Sequence, residues 1–392
     1  MPWRETCPME QREKFIRDWL DEEWSMTALC ESYGISRKTG YKWLMRFRQR
    51  GAVGLVNRSR KSHAHPNATI AAIEKRVIQL RSQRPFWGPR KLKKRLESLE
   101  PATTWPASST IGSIIKRHGL VSPRRTRWRT PAYEGPFVGG SMPNDLWAAD
   151  FKGWFMTQDR TRIDPFTVSD CASRYLIRCQ SVARTTGESV RGQLTVAFQE
   201  FGMPKALRTD NGVPFATVGL GGLSPLSIWL IKLGIIPERI RPAHPEENGA
   251  HERMHRTLKQ QTAKPPKANP MEQQAAFDRF RAEYNEERPH EALGMKTPAE
   301  VYAPSLRLFP RRLPMVEYPE GAIERQVTTN GTIHFMAKRI YLSRALIDET
   351  IGLIQTAEGW DVWFGPLLLG RLDLKKEVLQ RLPTKVLPMS SV

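Results

Sequence analysis

The sequence predicts a multidomain α+β protein: two small helical units, then a mixed α/β core, then a small β-barrel. Three observations carry this. At 392 residues the chain exceeds one ordinary domain. Its apolar periodicity is helical in the first third, then alternates between strands and helices, then breaks into short strands separated by turns. Its charge is lopsided: of the formal net +21, residues 1–130 hold +17, with 28 Lys and Arg against 11 Asp and Glu. Positive charge gathered in a helical third is the footprint of a nucleic-acid partner.

Residues 1–55 read as a helix followed by helix, turn, helix. Phe15, Trp19 and Leu20 are at helical spacing, and Ala28 and Leu29 face a core. Gly34 supplies a left-handed turn position, Ile35 plugs inward and Ser36 is a natural N-cap. The helix from Arg37 is expected to bury Tyr41, Leu44 and Phe47 and to present Arg37, Lys38 and Lys42 to DNA. Residues 56–68 are polar and aperiodic, a linker. Residues 69–121 repeat the theme, with a stripe of Ile70, Ile73, Val77 and Leu80 and a last helix burying Ile111, Ile114 and Ile115. This second helix-turn-helix would expose Arg90, Lys91, Lys116 and Arg117. Residues 122–143 form a basic, Pro/Gly-rich linker whose Arg124, Arg125 and Arg127 suit a phosphate backbone.

From Asn144 to about 305 the pattern is that of a mixed sheet with helices. Asp150 closes "LWAAD", Asp210 closes "KALRTD" ahead of an Asn-Gly turn, and Glu252 lies on the helix after Asn248-Gly249. Two strand ends and one helix can bring three carboxylates together, and such hard oxygen ligands select magnesium or manganese over zinc. Asp145, Asp159, Asp164 and Asp170 read as surface or turn acids, with Asp170 the one best placed to matter. Residues 320–378 hold short strands and turns, a small β-barrel.

"LWAADF", "RTDNGVPF", "HPEENGAHERMHRTLK" and "YNEERPHEALGMKTPAEVY", in this order, resemble the DDE transposase and retroviral-integrase superfamily. Within it they are most similar to bacterial insertion-sequence transposases with an integrase core. The resemblance implies a ribonuclease-H-like core in which Asp150, Asp210 and Glu252 hold two magnesium or manganese ions. It also implies a DNA transposase that cuts element ends and joins them to target DNA, working as a homo-oligomer on DNA. One departure stands out. Forty-one residues separate Asp210 from Glu252, more than the spacing for which the integrase group is named. Spacing therefore leaves Glu246, Glu247 and Glu252 open; the preceding Asn-Gly and the following "RTLK" point to Glu252.

"HERMH", residues 251–255, also matches the H-E-x-x-H signature of zinc proteases. Against that reading, Glu252, Arg256 and Lys259 fall at i, i+4 and i+7, a stripe that sets a metal-binding acid beside two phosphate-holding cations. No third zinc ligand is evident nearby. The competing readings are a DNA-binding regulator without catalysis and a zinc metalloprotease through His251, Glu252 and His255. No Walker-type phosphate loop occurs, so no nucleotide cofactor is expected. Cys7, Cys30, Cys171 and Cys179 form no C-x-x-C pair and read as buried free thiols. With no signal peptide and no apolar run of about 18 residues, the expectation is a cytoplasmic, nucleoid-associated protein.

Overall fold

The computed structural model describes residues 7–58, 68–121, 140–210, 212–215, 223–240, 248–318 and 320–380. Arg124, Arg125, Arg127, Glu246 and Glu247 lie outside them. The chain divides into two compact units between Ile70 and Ala71.

The first unit is a three-helix cluster: α1 (Pro8–Leu20), α2 (Met26–Ser32) and α3 (Arg37–Arg50). Ser25 and Ser36 cap α2 and α3, each accepting a hydrogen bond from the backbone N–H three residues on. Gly34, at φ 61°, takes the left-handed position between them. Phe15, Ile16, Leu29, Trp43 and Leu44 form the core. At Gly40 a Cβ would sit 2.6 Å from the Cys30 sulfur, so α3 rests directly on α2 at that point. The buried face of α3 is therefore Gly40, Trp43 and Leu44, and Tyr41, expected inside, is exposed. One helical step from Gly40 turns its ring outward beside Arg37, Lys38 and Lys42, all exposed. Cys7 is exposed as well, ahead of α1, rather than buried.

The second unit begins with α4 (Ala71–Gln83), α5 (Pro89–Leu99) and α6 (Ser108–Arg117), closed around Val77, Trp87, Leu92, Leu96, Ile111 and Ile114. Ile70 precedes α4 and is exposed, so it drops out of the expected stripe.

The α/β core follows: β1 (Leu146–Phe151), β2 (Phe155–Met156), β3 (Arg162–Asp170), β4 (Leu176–Val182), α7 (Gly187–Phe201), β5 (Ala206–Thr209), α8 (Pro225–Lys232), β6 (Ile236–Arg239), α9 (Gly249–Thr262) and α10 (Pro270–Ala282). β4, β3 and β1 are antiparallel neighbours, and β5 and β6 continue the sheet parallel to β1. β1 is central and buried along most of its length, which its apolar run Leu146–Ala149 permits. Trp147, Phe166, Leu194, Phe198, Leu207 and Trp229 fill the face under α7 and α8. Gly153, at φ 83°, separates β1 from β2, and Trp154 beside it is exposed.

α10 ends in a π-turn, Glu283–Glu287, that meets the α4–α5 unit. Arg84 bonds Glu287 at 2.7 Å and lies 3.6 Å from Glu283, and Arg95 lies 3.3 Å from Glu287. Beyond the core, β7 (Ile323–Gln326), β8 (Thr332–Phe335), β9 (Lys338–Tyr341), β10 (Thr350–Thr356), β11 (Gly359–Phe364), β12 (Leu367–Asp373) and β13 (Val378–Gln380) form a near-closed barrel. Its order, β7-β10-β11-β12-β13-β9-β8, starts and finishes on strands that are neighbours in the chain. Ile228 and Ile231 of α8 enter the barrel's core cluster, and Lys232 pairs with Glu349 at 2.8 Å. Among the described residues no helix is long and apolar enough to cross a membrane.

Candidate active site

β1 and β5 run parallel with Leu146 beside Ala206 and Ala148 beside Arg208. Carried on by two residues, that register sets Asp150 level with Asp210 at the same edge of the sheet. Asp210 leaves β5 immediately, and its Oδ1 accepts the Gly212 N–H at 3.2 Å. Glu252 stands in the first turn of α9 on its exposed side, followed by Arg256 and Lys259, also exposed. Burial pushes the Asp150 carboxyl up to about 7, and the charges of Asp210 and Glu252 push the same way. Lys152 and a backbone hydrogen bond at Phe151 oppose this. Asp150 thus feels the charges of both other sequence-predicted acids. Three oxygen-donor side chains with a proton held at neutral pH have the chemistry of a divalent-cation site, since a cation would replace that proton.

What holds α9 over the sheet is the pair of histidines from "HERMH". Both lie on its buried face, at 3% and 4% exposure. Thr167, the cross-strand partner of Asp150 on β3, is the node. Its hydroxyl lies 3.1 Å from the Asp150 carbonyl, 2.8 Å from His251 Nε2 and 2.6 Å from His255 Nε2. A hydroxyl has one hydrogen. If it goes to the carbonyl, which can only accept, both Nε2 atoms must donate. His251 Nδ1 is then an acceptor, matched by the Ser169 hydroxyl at 2.7 Å. His255 Nδ1 keeps a lone pair, 3.7 Å from Asp150 Oδ2. Burial pushes His251 down to about 3 and His255 to about 2, so both are neutral at pH 7.

This network answers the zinc reading. Asp150, His251 and His255 do bring donor atoms within 4.8 Å of one another. But the two Nε2 atoms that an H-E-x-x-H helix offers to zinc converge here on the Thr167 hydroxyl. The histidines serve as struts between α9 and β3, and Glu252 stands on the exposed side of the helix.

The other candidate residues are placed as follows. Asp170 is fully buried and takes the N–H groups of Asn144 and Ser173 and the Ser173 hydroxyl, which makes it a turn cap at the last residue of β3. Asp164 is buried against Arg162, and Asp145 pairs with Lys205. Arg90 lies 3.7 Å from Glu291 of the core. Lys91 is pushed down to about 8 by burial and then by Arg288, and so faces the core too. Lys116 is exposed, while Arg117 bonds Glu74 at 2.7 Å. Thr167, Ser169 and Lys152 were not singled out by the sequence reading, which put Tyr41 in the core. Lys152 could have been, because it follows Asp150 by two residues, the spacing of one strand face.

Comparison with known proteins supports this architecture. An integrase core domain matches residues 140–245, and a second integrase core domain model matches 233–298. A helix-turn-helix domain matches 11–63 and a homeodomain-like domain 39–115. An uncharacterized 31.7 kDa protein of insertion element IS407 from Burkholderia multivorans is 25% identical over 241 residues, 61% of this chain and 82% of that protein. An uncharacterized 39.2 kDa protein of insertion element IS476 from Xanthomonas euvesicatoria is 26% identical over 260 residues, 65% of this chain and 72% of that protein. Among solved structures, the HTLV-2 integrase catalytic core domain in complex with magnesium overlaps 41% of this chain and 97% of its own, at 16% identity and a TM-score of 0.31. Helix-turn-helix and homeodomain-like models thus match its amino-terminal third and integrase core models its residues 140–298, and over about two thirds of its length the chain is similar to proteins of bacterial insertion elements.

Proposed function

We propose that this protein is a DNA transposase that binds the ends of its mobile element, cuts them and joins them to target DNA. What carries the proposal is that Asp150, pushed up to about 7 first by burial, also feels the charges of Asp210 and Glu252. Magnesium or manganese suits this all-oxygen donor set, and two such ions would activate a water or a 3′-hydroxyl and stabilise the leaving oxygen of an in-line displacement at phosphorus. The chain's part is to hold the three acids level, to yield the Asp150 proton as cations bind, and to seat DNA phosphates on Arg256 and Lys259. The histidine struts keep Glu252 in place through α9. Holding two ends at once calls for a homo-oligomer on DNA, and such an enzyme works at the nucleoid.

The test uses duplexes cut from the DNA that flanks the coding sequence on either side. With Mg²⁺ or Mn²⁺ the protein should nick them to leave a 3′-hydroxyl and then give joined products. A protein that binds these duplexes but never cleaves them is a regulator instead.

Recognition is assigned to α3 and, with it, Arg37, Lys38 and Lys42. Replacing each with Ala should separate their roles. Loss of a base contact narrows the gap between flanking and random DNA by roughly 1–3 kcal/mol, whereas loss of a phosphate contact weakens both equally. Tyr41, exposed among them, should behave as a base or sugar contact. Competition binding at fixed salt measures this, and unchanged affinity and specificity in all four variants would remove α3 from the interface.

A further inference from the structure

Beside the acids lies a cavity of about 260 Å³, lined by Lys152, Trp154, Phe155, Leu258, Lys259 and Phe277 among others. Its floor is apolar and fixed: Leu258 and Phe277 are buried, and Phe155 meets Phe277 edge-on at 6.4 Å. Its rim carries the exposed Trp154, at 58%, and two lysines. Trp154 is braced, because the Arg162 guanidinium lies 5.3 Å from its ring and is itself held by two hydrogen bonds to Asp164. Lys152 belongs to both places. It lines the cavity, and its charge acts on Asp150 and on His255. Lys259 stands two turns along α9 from Glu252 on the same exposed stripe.

We infer that this cavity receives one unpaired nucleobase of the DNA end, stacked on Trp154, while Lys152 and Lys259 hold the phosphates on either side. This rests on the proposed nuclease and joining activity. Apolar walls beneath a cationic rim fit a flat ring on an anionic backbone. The volume lies below that of pockets for drug-sized ligands, and suits one base rather than a base pair. The one hydroxyl in the lining, of Thr262, donates to the Leu258 carbonyl at 2.8 Å. The cavity therefore grips a base by its face rather than by its edge, and accepts all four. Because Lys152 is shared with the acids, the base that enters belongs to a nucleotide adjoining the phosphate under attack. Its pair must open first, at a cost of a few kcal/mol that stacking on Trp154 offsets.

The experiment uses the full chain and two versions of the flanking-DNA duplex, one fully paired and one with its terminal two pairs mismatched. In the mismatched version 5-iodouracil replaces the unpaired 3′ bases. Irradiation with Mg²⁺ should crosslink the iodouracil to the peptide containing Trp154. Trp154→Ala should lower that yield about ten-fold, and Trp154→Phe, which keeps a stacking face, by no more than about three-fold. Nicking supplies the readout that a merely structural role would not move. Trp154→Ala should slow cleavage of paired DNA about ten-fold and cleavage of the pre-opened DNA by less than about three-fold. Crosslinks that map elsewhere, or equal slowing on both duplexes, overturn the cavity's assignment and leave the nuclease intact. A wild-type protein that cleaves neither duplex overturns both.

Discussion

Asp150→Asn should abolish DNA cleavage and joining while leaving affinity for flanking DNA within about two-fold. Removing one preorganised charge-stabilising group costs an enzyme about 10²–10³ in rate, and here the lost charge also holds the cation, so the deficit should reach the assay's floor. Asp210→Asn and Glu252→Gln should match it, and the double variants should be no worse, since the three acids act as one unit. The same substitution has a second, opposite effect. In the metal-free protein Asp150 binds its proton near pH 7, far above an unfolded aspartate. Its contribution to stability is therefore whole below about pH 4 and is lost as pH rises through 7. From pH 4 to 8 the wild type should lose up to about 4 kcal/mol relative to Asp150→Asn. The buried histidines pull the other way, since their lowered pKa values give stability above about pH 6.5 that is lost as pH falls, but both proteins share them. Urea titrations across pH without metal measure the difference. Added Mg²⁺ at pH 8 should restore stability to the wild type alone. Parallel pH profiles for the two proteins would mean that Asp150 is not held among like charges.

Thr167→Val should be among the most damaging substitutions that touch no acid. Valine matches threonine in shape but leaves two buried imidazole N–H groups without an acceptor and the Asp150 carbonyl without this donor. Each such loss costs about 1–3 kcal/mol, so about 3 kcal/mol or more of stability should go, read as a lower urea midpoint. Thr167→Ser, which keeps the hydroxyl, should lose about 1 kcal/mol. Metal affinity should weaken in the valine variant even where it stays folded, because α9 and Glu252 are tied to the sheet at that hydroxyl. A loss below 1 kcal/mol for Thr167→Val would show that the histidines have other partners.

Asp150 and Asp210 stand out in the sequence because each closes an apolar strand. A carboxylate closing an apolar run, repeated on two strands, announces a shared edge before any register is known. The function of "HERMH" was half legible: helical spacing separates Glu252 from the histidines, and an i, i+4 pair shares a face whether it binds zinc or packs. What decides is the strand below, and nothing in the sequence says that Thr167 lies across from Asp150. Tyr41 was misplaced for a related reason. Aromatic size suggests burial, but Gly40 brings α3 so close to α2 that the inward arc is set by the glycine. Arg90 and Lys91 lie in a basic run that composition assigns to DNA. Their acidic and basic neighbours, Glu291 and Arg288, are some two hundred residues away in the chain. Glu246 and Glu247 lie outside the described residues, so the choice of Glu252 over them rests on the sequence, on the preceding Asn-Gly and the following "RTLK".

The π-turn at the end of α10 has a consequence for measurement along DNA. Arg84 and Arg95 clasp its glutamates, so α6 and the acids ride on one frame. Under the proposed function, a duplex that touched both would be gauged by the protein: the number of base pairs from its contact with α6 to the bond cut would be fixed by the length of that frame. Adding one pair would swing the cut site about 34° around the helix axis, a tenth of a turn, and present the acids with a groove in place of a phosphate. The element's termini would then tolerate base changes between those two points far better than a change in their number.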